Sequence, residues 1–275
     1  MPCKSTRLTK SNAPGPPWNG FSTTSERGSR LLPSETDRVW NFLQEQPVLA
    51  GFVLVGGSAL ALRIHHRRSE DLDLLLPEVT LPRARLEAFL RIAAEGGFDF
   101  QRNDNEAALL EFAQGGIELH DHQQDFLVNR SVKISFFTPD AAQAKVFSGH
   151  AEGRVRIATL TELFASKSLI SASRSKSRDW LDLYLLMRDH GFSIRDYQAA
   201  FREAGVVSQC DIGLSRLCSG VPQRGDEGYH HLLANPPKLD EMTAFFSEQR
   251  NWLEVESAAE ALRSRRDPGR SNIEQ

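Results

Sequence analysis

The chain has 275 residues, of which 40% are hydrophobic and 25% are charged. This usage is ordinary for a soluble protein, and it excludes a collagen-like, coiled-coil or wholly disordered chain. At roughly 150 residues per domain, the length fits one large domain or two small ones. Lys and Arg number 33 against 36 Asp and Glu, a formal net charge of −3. No basic field over the whole molecule can therefore hold nucleic acid or membrane, and any such binding has to be local.

The cysteine content predicts a reducing environment. The chain has three cysteines, Cys3, Cys210 and Cys218, an odd count without paired short spacing, which argues against a disulfide framework or a thiolate zinc site. No apolar run approaches the roughly 18 residues of a membrane span, and the N-terminus lacks the apolar stretch of a secretory signal. We therefore expect a cytoplasmic protein that does not interact with a membrane.

The sequence pattern divides the chain into four segments. Residues 1–33 are rich in Pro, Gly, Ser and Thr and carry five basic residues against one acid, Glu26, so they predict a disordered, weakly basic tail. Residues 34–158 mix helical and strand patterns and predict a core domain, whereas residues 159–266 predict a helical C-terminal domain. Residues 267–275 open with Asp-Pro-Gly and are expected to form a frayed tail.

The predicted elements follow in chain order from a first helix that starts near Ser34. Apolar runs predict strands at 52–55, 71–76, 98–101, 107–112, 117–120 and 132–137. Helical spacing predicts helices at 59–64, 86–93 and 178–190. Thr159 with Glu162 forms a possible capping box, and Ser193 is a possible cap of a later helix. The fold class is therefore a mixed α/β (α+β) sheet flanked by helices and followed by a helical C-terminal part.

A glycine turn, formed by Gly56 and Gly57 and followed by Ser58, joins the first predicted strand to the next helix. Glycines allow positive φ, and a turn that opens a helix exposes backbone amides. The positive end of the helix dipole at this point suits a phosphate. Ser58 is expected to cap the helix and could add a hydroxyl donor.

Two acids follow after twelve further residues, in the sequence Asp71-Leu72-Asp73-Leu74. Residues i and i+2 of a strand point the same way, so we expect both carboxylates to project together while the leucines enter the core. Two such carboxylates repel each other unless a hard divalent cation, Mg²⁺ or Mn²⁺, neutralises them and bridges to substrate phosphates. A metal site beside a phosphate-binding turn indicates phosphoryl or nucleotidyl transfer.

A second charged cluster lies on the helical side. Lys167 follows Leu163 by four residues, so it borders the buried face of its helix and could reach inward. Asp179 lies one turn from Asp182, and Arg178 can pair with Asp182 at i, i+4. The alternative is an exposed charged helix with ordinary ion pairs.

These motifs resemble a known family. The segments 55–62 (VGGSALAL), 66–73 (HRRSEDLD) and 178–183 (RDWLDL), together with Lys167, look like the AbiEii/AbiGii-type nucleotidyltransferase toxins, which belong to the DNA polymerase β-like nucleotidyltransferases. The resemblance covers about residues 35–205. It implies a nucleotide-binding mixed sheet flanked by helices, then a helical domain, with the active site in the cleft between them.

The resemblance also implies roles for single residues. The residues expected to bind the nucleoside triphosphate (NTP) are Gly56, Gly57, Ser58, Lys167, Arg178 and Asp179. Those expected to be catalytic are Asp71, Asp73, Lys167 and Asp182, with Asp71 and Asp73 as the ligands of Mg²⁺ or Mn²⁺. Some relatives transfer nucleotides to tRNA ends and are silenced by a partner antitoxin. An RNA acceptor, particularly a tRNA 3′ end, and a cognate antitoxin are therefore implied.

The sequence departs from this pattern at one position. Many polymerase β-like enzymes place a third carboxylate on a later strand, where this chain has Ser135. Asp182 could substitute from the helical side, or Glu111 or Glu118 from a neighbouring strand. Alternatively, the protein binds a nucleotide without transferring it, or it is a metal-dependent phosphohydrolase that uses the same carboxylates.

Overall fold

The computed structural model describes residues 31–147 and 153–266. Most of the predicted basic tail and the whole predicted C-terminal tail lie outside the described residues. Leu32, close to the start of the described chain, is buried in the hydrophobic core. This core is continuous from the sheet into the helices that follow it, so the division into two domains stays a prediction.

The strands of the described chain form one mixed sheet. They are β1 (Val53–Val55), β2 (Leu72–Leu75), β3 (Phe100–Arg102), β4 (Gln123–Val128), β5 (Val132–Phe137) and β6 (Arg156–Ile157). Their order in the sheet is β3-β4-β5-β2-β1-β6. β2 is antiparallel to β1 and parallel to β5, and β4 is antiparallel to both of its neighbours. The mixed fold predicted from the sequence is confirmed.

Helices lie around the sheet and make up the chain after β6. They are α1 (Ser34–Gln44), α2 (Gly56–Ile64), α3 (Arg83–Glu95), α4 (Glu106–Gln114), α5 (Ala141–Val146), α6 (Leu160–Ser171), α7 (Ser177–Asp189), α8 (Ile194–Ala204), α9 (Cys210–Ser219) and α10 (Leu239–Arg266). The predicted caps are confirmed, because Thr159 and Ser193 both open capping boxes. α2 contacts β1 and β2 as well as α6, so it lies between the sheet and the helical part.

Two predicted strands are wrong. Residues 107–112 belong to α4, because their Ala, Leu and Glu side chains favour a helix and Asn105 caps it by accepting hydrogen bonds from two backbone amides at 2.9 and 3.3 Å. Residues 117–120 are not a strand either, since Leu119–Asp121 form a short 3-10 turn.

The sequence patterns did not predict β4. Its residues alternate between buried and half-buried positions, as expected for a strand with one face on the core. One of its buried positions is the polar Gln124, whose amide donates to the carbonyl of His120 at 3.0 Å. This satisfied polar residue breaks the apolar alternation that would have indicated a strand.

The core supports the sheet from the face opposite the acidic pair. Leu72 and Leu74 are fully buried on that face, and the Phe136 ring contacts the rings of Phe52 and Phe89 edge-on at centroid distances of 5.4 and 5.8 Å. Such packing fixes β2 and therefore the direction in which its polar residues point. Among the helices that the structure describes, none combines the length and apolar character needed to cross a bilayer.

Candidate active site

The glycine turn lies directly against the acidic motif. Gly56 has a φ of +69°, and a Cβ atom there would collide with Oδ2 of Asp73. A Cβ atom at Gly57 would lie 2.5 Å from Nη2 of Arg67 and 3.0 Å from Oγ of Ser69. Gly56 therefore favours glycine because of its positive φ and because Asp73 lies so close to it. Gly57 favours glycine only because the side chains of Arg67 and Ser69 lie so close to it.

Ser58 joins the two motifs by a hydrogen bond. The expectation that it caps the helix is wrong, because α2 begins at Gly56 and is preceded by Val55. Ser58 lies in the first turn of α2, is 1% exposed, and donates its hydroxyl hydrogen to the backbone carbonyl of Asp71. The glycine turn is thereby tied to the start of β2.

Asp71 and Asp73 form an acidic pair without a counter-ion. Both line the same cavity while Leu72 and Leu74 are buried, so the predicted alternation is confirmed. In the described part of the chain, neither carboxylate has a hydrogen-bond or ion-pair partner. Burial and the neighbouring charge of Asp71 raise the pKa of Asp73 to about 6. Burial also raises the pKa of Asp71. Such an uncompensated pair favours binding of a cation.

Behind the acidic pair lies a buried ion network. Lys167 Nζ lies 2.9 Å from Oδ1 of Asp179 and 2.7 Å from Oδ2 of Asp182. Arg67 donates to both carboxylate oxygens of Asp182, from Nε at 2.8 Å and from Nη2 at 3.0 Å. His66 Nε2 lies 2.7 Å from Oδ1 of Asp182. The network links the segment before β2 to α6 and α7.

The charges in this network compensate one another. Burial alone would raise the pKa of Asp182, but Arg67 and Lys167 hold that pKa well below its usual range. Burial lowers the pKa of His66, so its ring is neutral and Nε2 donates to the ionised carboxylate. Burial would also lower the pKa of Lys167, yet Asp179 and Asp182 raise it. Asp182 therefore anchors two cations that remain charged.

Arg178 is held by the loop between α9 and α10. Its Nε donates to the carbonyl of Gly228 at 2.9 Å, and its Nη2 lies 2.9 Å from Oε2 of Glu227. The predicted i, i+4 pair with Asp182 is wrong, because Asp182 points into the buried network instead. Arg178 thus stands at the rim of the site with its guanidinium already paired.

A cavity of about 690 Å³ is lined by residues of the sheet and of the helical part. The candidate site residues that line it are Gly56, Gly57, Asp71, Asp73, Lys167, Arg178 and Asp179. Ser58 and Asp182 lie behind this lining. The cavity is also lined by five further basic residues, Arg67, Arg68, Lys133, Arg174 and Lys176. Arg67 occurs in a run of basic residues, and no pattern in the sequence distinguishes this buried arginine from its exposed neighbour Arg68.

No substitute proposed from the sequence replaces the missing third carboxylate. Ser135 pairs with Asp73 in the register of β5 and β2. Asp182 is fully buried and ion-paired. Glu111 is exposed on α4, and Glu118 precedes a 3-10 turn rather than lying on a strand. Neither Glu111 nor Glu118 lines the cavity.

The residues of the site fit a hard divalent cation. Asp71 and Asp73 offer carboxylate oxygens, the ligands that Mg²⁺ prefers. Within residues 31–147 and 153–266, no group of three or more His, Cys, Asp or Glu surrounds a single ion position. The protein would thus supply two carboxylates, and phosphate oxygens and water would complete the coordination, as is usual for Mg²⁺.

A glycine turn, an unpaired acidic pair and several basic residues share one cleft, an arrangement that suits a nucleoside triphosphate bound with a divalent cation. In agreement, the family model described as "Nucleotidyl transferase AbiEii toxin, Type IV TA system" matches residues 41–263. The chain belongs to this family and is a nucleotidyltransferase, which confirms the resemblance found in the sequence.

Two solved structures are among those to which this chain is similar. JHP933 from Helicobacter pylori is 17% identical and has a TM-score of 0.44, and the match covers 83% of this chain and 97% of that one. The nucleotidyltransferase toxin MenT4 from Mycobacterium tuberculosis is 14% identical with a TM-score of 0.44, covering 84% of this chain and 95% of that one. The search of curated proteins finds no match. Family membership therefore rests on the family model.

Proposed function

We propose that the protein transfers a nucleoside monophosphate from an NTP to an RNA acceptor, such as a tRNA 3′ end, in a reaction that depends on Mg²⁺ or Mn²⁺. The observation that carries the proposal is the unpartnered pair Asp71 and Asp73 facing the glycine turn. Leaving two carboxylates uncompensated is costly, and a metal–phosphate substrate removes that cost.

Asp71 and Asp73 would hold the metal ion through their carboxylate oxygens. When bound, a divalent ion neutralises charge on the phosphate oxygens and orients them. Its binding requires the deprotonated carboxylates, so the raised pKa of Asp73 couples metal affinity to pH.

The triphosphate would lie between the glycine turn and the buried network. Arg67 Nη2 approaches Gly57 closely, and Arg174 is bound to Asp179 at 2.9 Å while 43% of its side chain stays exposed. Lys167 lines the same cavity. These cations, held by Asp179 and Asp182, stabilise negative charge that develops on the phosphates during transfer.

In the reaction, the acceptor hydroxyl oxygen forms a bond to the α-phosphorus. The bond from that phosphorus to the oxygen bridging to the β-phosphate breaks, pyrophosphate leaves, and the hydroxyl proton passes to a base or to water. The protein contributes mostly positioning and charge stabilisation. The amides of the glycine turn and the cations of the network supply both.

An RNA acceptor agrees with the basic residues at the rim of the cavity. Arg68, Lys133 and Lys176 line it, and Arg178 stands beside them. Such residues bind the phosphate backbone of nucleic acid without base specificity. A cognate antitoxin that silences the enzyme follows from the toxin family alone.

The test is incubation with each NTP, labelled with radioactive phosphorus at its α-position, together with Mg²⁺ and total RNA. We expect label in RNA for the wild type and none for the Asp71→Asn, Asp73→Asn variant. A Glu87→Gln, Glu111→Gln variant removes two exposed acids outside the cavity and should stay active. Labelled protein instead of RNA would reject the RNA acceptor.

The second candidate is a protein that binds a nucleotide without transferring it, and Ser135 in place of the third carboxylate favours it. It predicts that NTP binds and is recovered intact. Release of free nucleoside monophosphate or phosphate without a labelled acceptor would instead identify a phosphohydrolase.

A further inference from the structure

The lining of the active-site cavity includes an apolar set of residues as well as the charged ones. This set comes from β2, from β5 and the segment after it, from α5 and from the first turn of α6. Its members are Leu75, Phe137, Pro139, Ala142 and Leu163. An NTP has the same division, because its charged triphosphate is joined through the ribose to a base with two flat faces that can stack. The apolar set is thus a candidate site for the base.

The register of the sheet places the apolar set on the far side of Asp73 from the glycine turn. β1 is antiparallel to β2, with Val55 opposite Asp73. The glycine turn follows Val55 and therefore lies toward Asp71, whereas Leu75 lies in the other direction, about 7 Å beyond Asp73 along the strand. Phe137 pairs with Leu75. A nucleotide whose phosphates lie at the glycine turn and the acidic pair would therefore extend toward Phe137.

Phe137 supplies the aromatic ring of the apolar set. It is half-buried and lies two residues after Ser135, so both point to the cavity face of β5. The neighbouring Phe136 points to the core, where its ring contacts those of Phe52 and Phe89. Within residues 31–147 and 153–266, no other aromatic ring contacts Phe137. A half-buried ring without an aromatic neighbour suits stacking against a planar group in the cavity.

Two helices line the cavity beside this ring. α5 follows β5 and contacts α6, and Nε2 of Gln143 donates to the carbonyl of Ser166 at 3.1 Å. Ala142 and Leu163 line the cavity from these helices. Asp140 also lines it, but its Oδ1 accepts hydrogen bonds from two backbone amides of α5 at 2.9 and 2.8 Å. The hydrogen bond between the helices holds the apolar side chains in place beside β5.

We propose that the base of the NTP stacks on the ring of Phe137 and contacts Leu75, Ala142 and Leu163. The inference rests on the proposed function, which assigns the triphosphate to the glycine turn and the metal to the acidic pair. The ribose then spans the distance from the acidic pair to Phe137. Because every base has a flat π-face, such stacking binds all four bases. Phe137 is therefore a binding residue that does not by itself select one base.

The test compares the binding of whole nucleotides with the binding of a triphosphate alone. Isothermal titration calorimetry in the presence of Mg²⁺ gives Kd for each of the four α,β-methylene NTPs and for inorganic tripolyphosphate. We expect Phe137→Ala to bind every methylene NTP about 5- to 100-fold more weakly, the effect of losing one stack between a base and an aromatic ring. Tripolyphosphate should bind within about twofold of wild type. Phe137→Tyr, which keeps the ring, should retain the affinity for the NTPs.

Phe112→Ala is the matched control, because Phe112 is also half-buried but lies on α4 outside the cavity. It should bind both kinds of ligand as the wild type does. Equal weakening of tripolyphosphate and NTPs in Phe137→Ala, or no weakening of either, would overturn the role of Phe137 and leave the proposed function standing. A wild type that binds none of the four methylene NTPs would overturn both.

A second variant keeps the test decisive if Phe137→Ala does not fold, which circular dichroism would show. Phe137→Leu keeps an apolar side chain of similar size but has no ring. It should lose affinity for the NTPs and keep its affinity for tripolyphosphate. Wild-type affinity of Phe137→Leu for all four NTPs would mean that the ring does not stack on the base, and would overturn the inference.

Discussion

Two pairs of aspartates in this molecule have opposite environments. Asp71 and Asp73 have no ion-pair partner in the described chain and have raised pKa values. Asp179 and Asp182 each pair with two cationic side chains and have lowered pKa values. The first pair is free to bind a cation, whereas the second pair forms ion pairs with basic residues beside the cavity. Two acid pairs of similar spacing in the sequence thus differ in role: Asp71 and Asp73 suit ligand binding, and Asp179 and Asp182 stabilise the structure.

The largest expected effect is on stability, at Asp182. Asp182→Ala leaves Arg67 and Lys167 buried without their shared counter-ion, which should lower the free energy of unfolding by about 3 to 5 kcal/mol. Asp73→Asn removes an unpaired charge and should leave this free energy unchanged or raise it. Urea denaturation of both variants measures the contrast. Equal losses of unfolding free energy in Asp182→Ala and Asp73→Asn would contradict the difference between the two aspartate environments.

The second largest expected effect is a loss of stability at the glycine turn, where backbone strain and steric collision can be measured separately. Gly56→Ala adds a Cβ at a φ of +69° and against Asp73, so we expect a loss of about 2 to 4 kcal/mol. Gly97 has a φ of +79° and nothing within 4 Å of an added Cβ, so Gly97→Ala should cost only about 1 to 2 kcal/mol. Thermal denaturation compares them. If both cost the same, the close approach to Asp73 carries no energy.

The contrast also explains what the sequence could and could not predict. The turn at Gly56 and the acids on β2 are close in sequence, so their spacing alone predicted a shared site. The bond between Arg67 and Asp182 joins residues 115 positions apart, and no local pattern reports such a contact. β4 was not predicted because the buried polar Gln124 interrupts its apolar alternation, and only the register of the sheet shows that it pairs with β5.

A third effect is a dependence of stability on pH. The folded-state pKa of Asp73 is about 6, above the unfolded value of about 3.9. The folded metal-free protein therefore binds a proton at Asp73 more tightly, and the contribution of Asp73 to stability should rise by about 1 to 2 kcal/mol as pH falls from about 6.5 to 4.5. His66, whose pKa is lowered by burial, acts in the opposite direction in the same window, so the contribution of Asp73 is the difference between the wild type and Asp73→Asn. Asp179 and Asp182, with lowered pKa values, begin to lose their contribution only near the acid end of that window.

Urea denaturation of the metal-free protein across this pH range measures the gain. Asp73→Asn should abolish it, while Asp99→Asn, at an exposed acid, should keep it. An identical pH profile for the wild type and Asp73→Asn would contradict the raised pKa.

The smallest expected effect on stability concerns an exposed ion pair, Arg178 with Glu227, which contrasts with the buried network. Because 67% of the Glu227 side chain is exposed, Glu227→Gln should change the free energy of unfolding by less than about 0.5 kcal/mol. It should nevertheless lower KM for the NTP by about two- to threefold, since the guanidinium at the cavity rim loses a competing anion.

Glu254→Gln is the control for this comparison, since it breaks a similarly exposed pair with Arg250 on α10, outside the cavity. Steady-state kinetics at low salt would give the two KM values, and added salt should shrink the difference because it screens exposed charges. A KM that rises in Glu227→Gln would mean that the Glu227 contact positions Arg178 for the phosphates. Arg178 would then belong with Arg67 and Lys167, as a cation held in place by its acid.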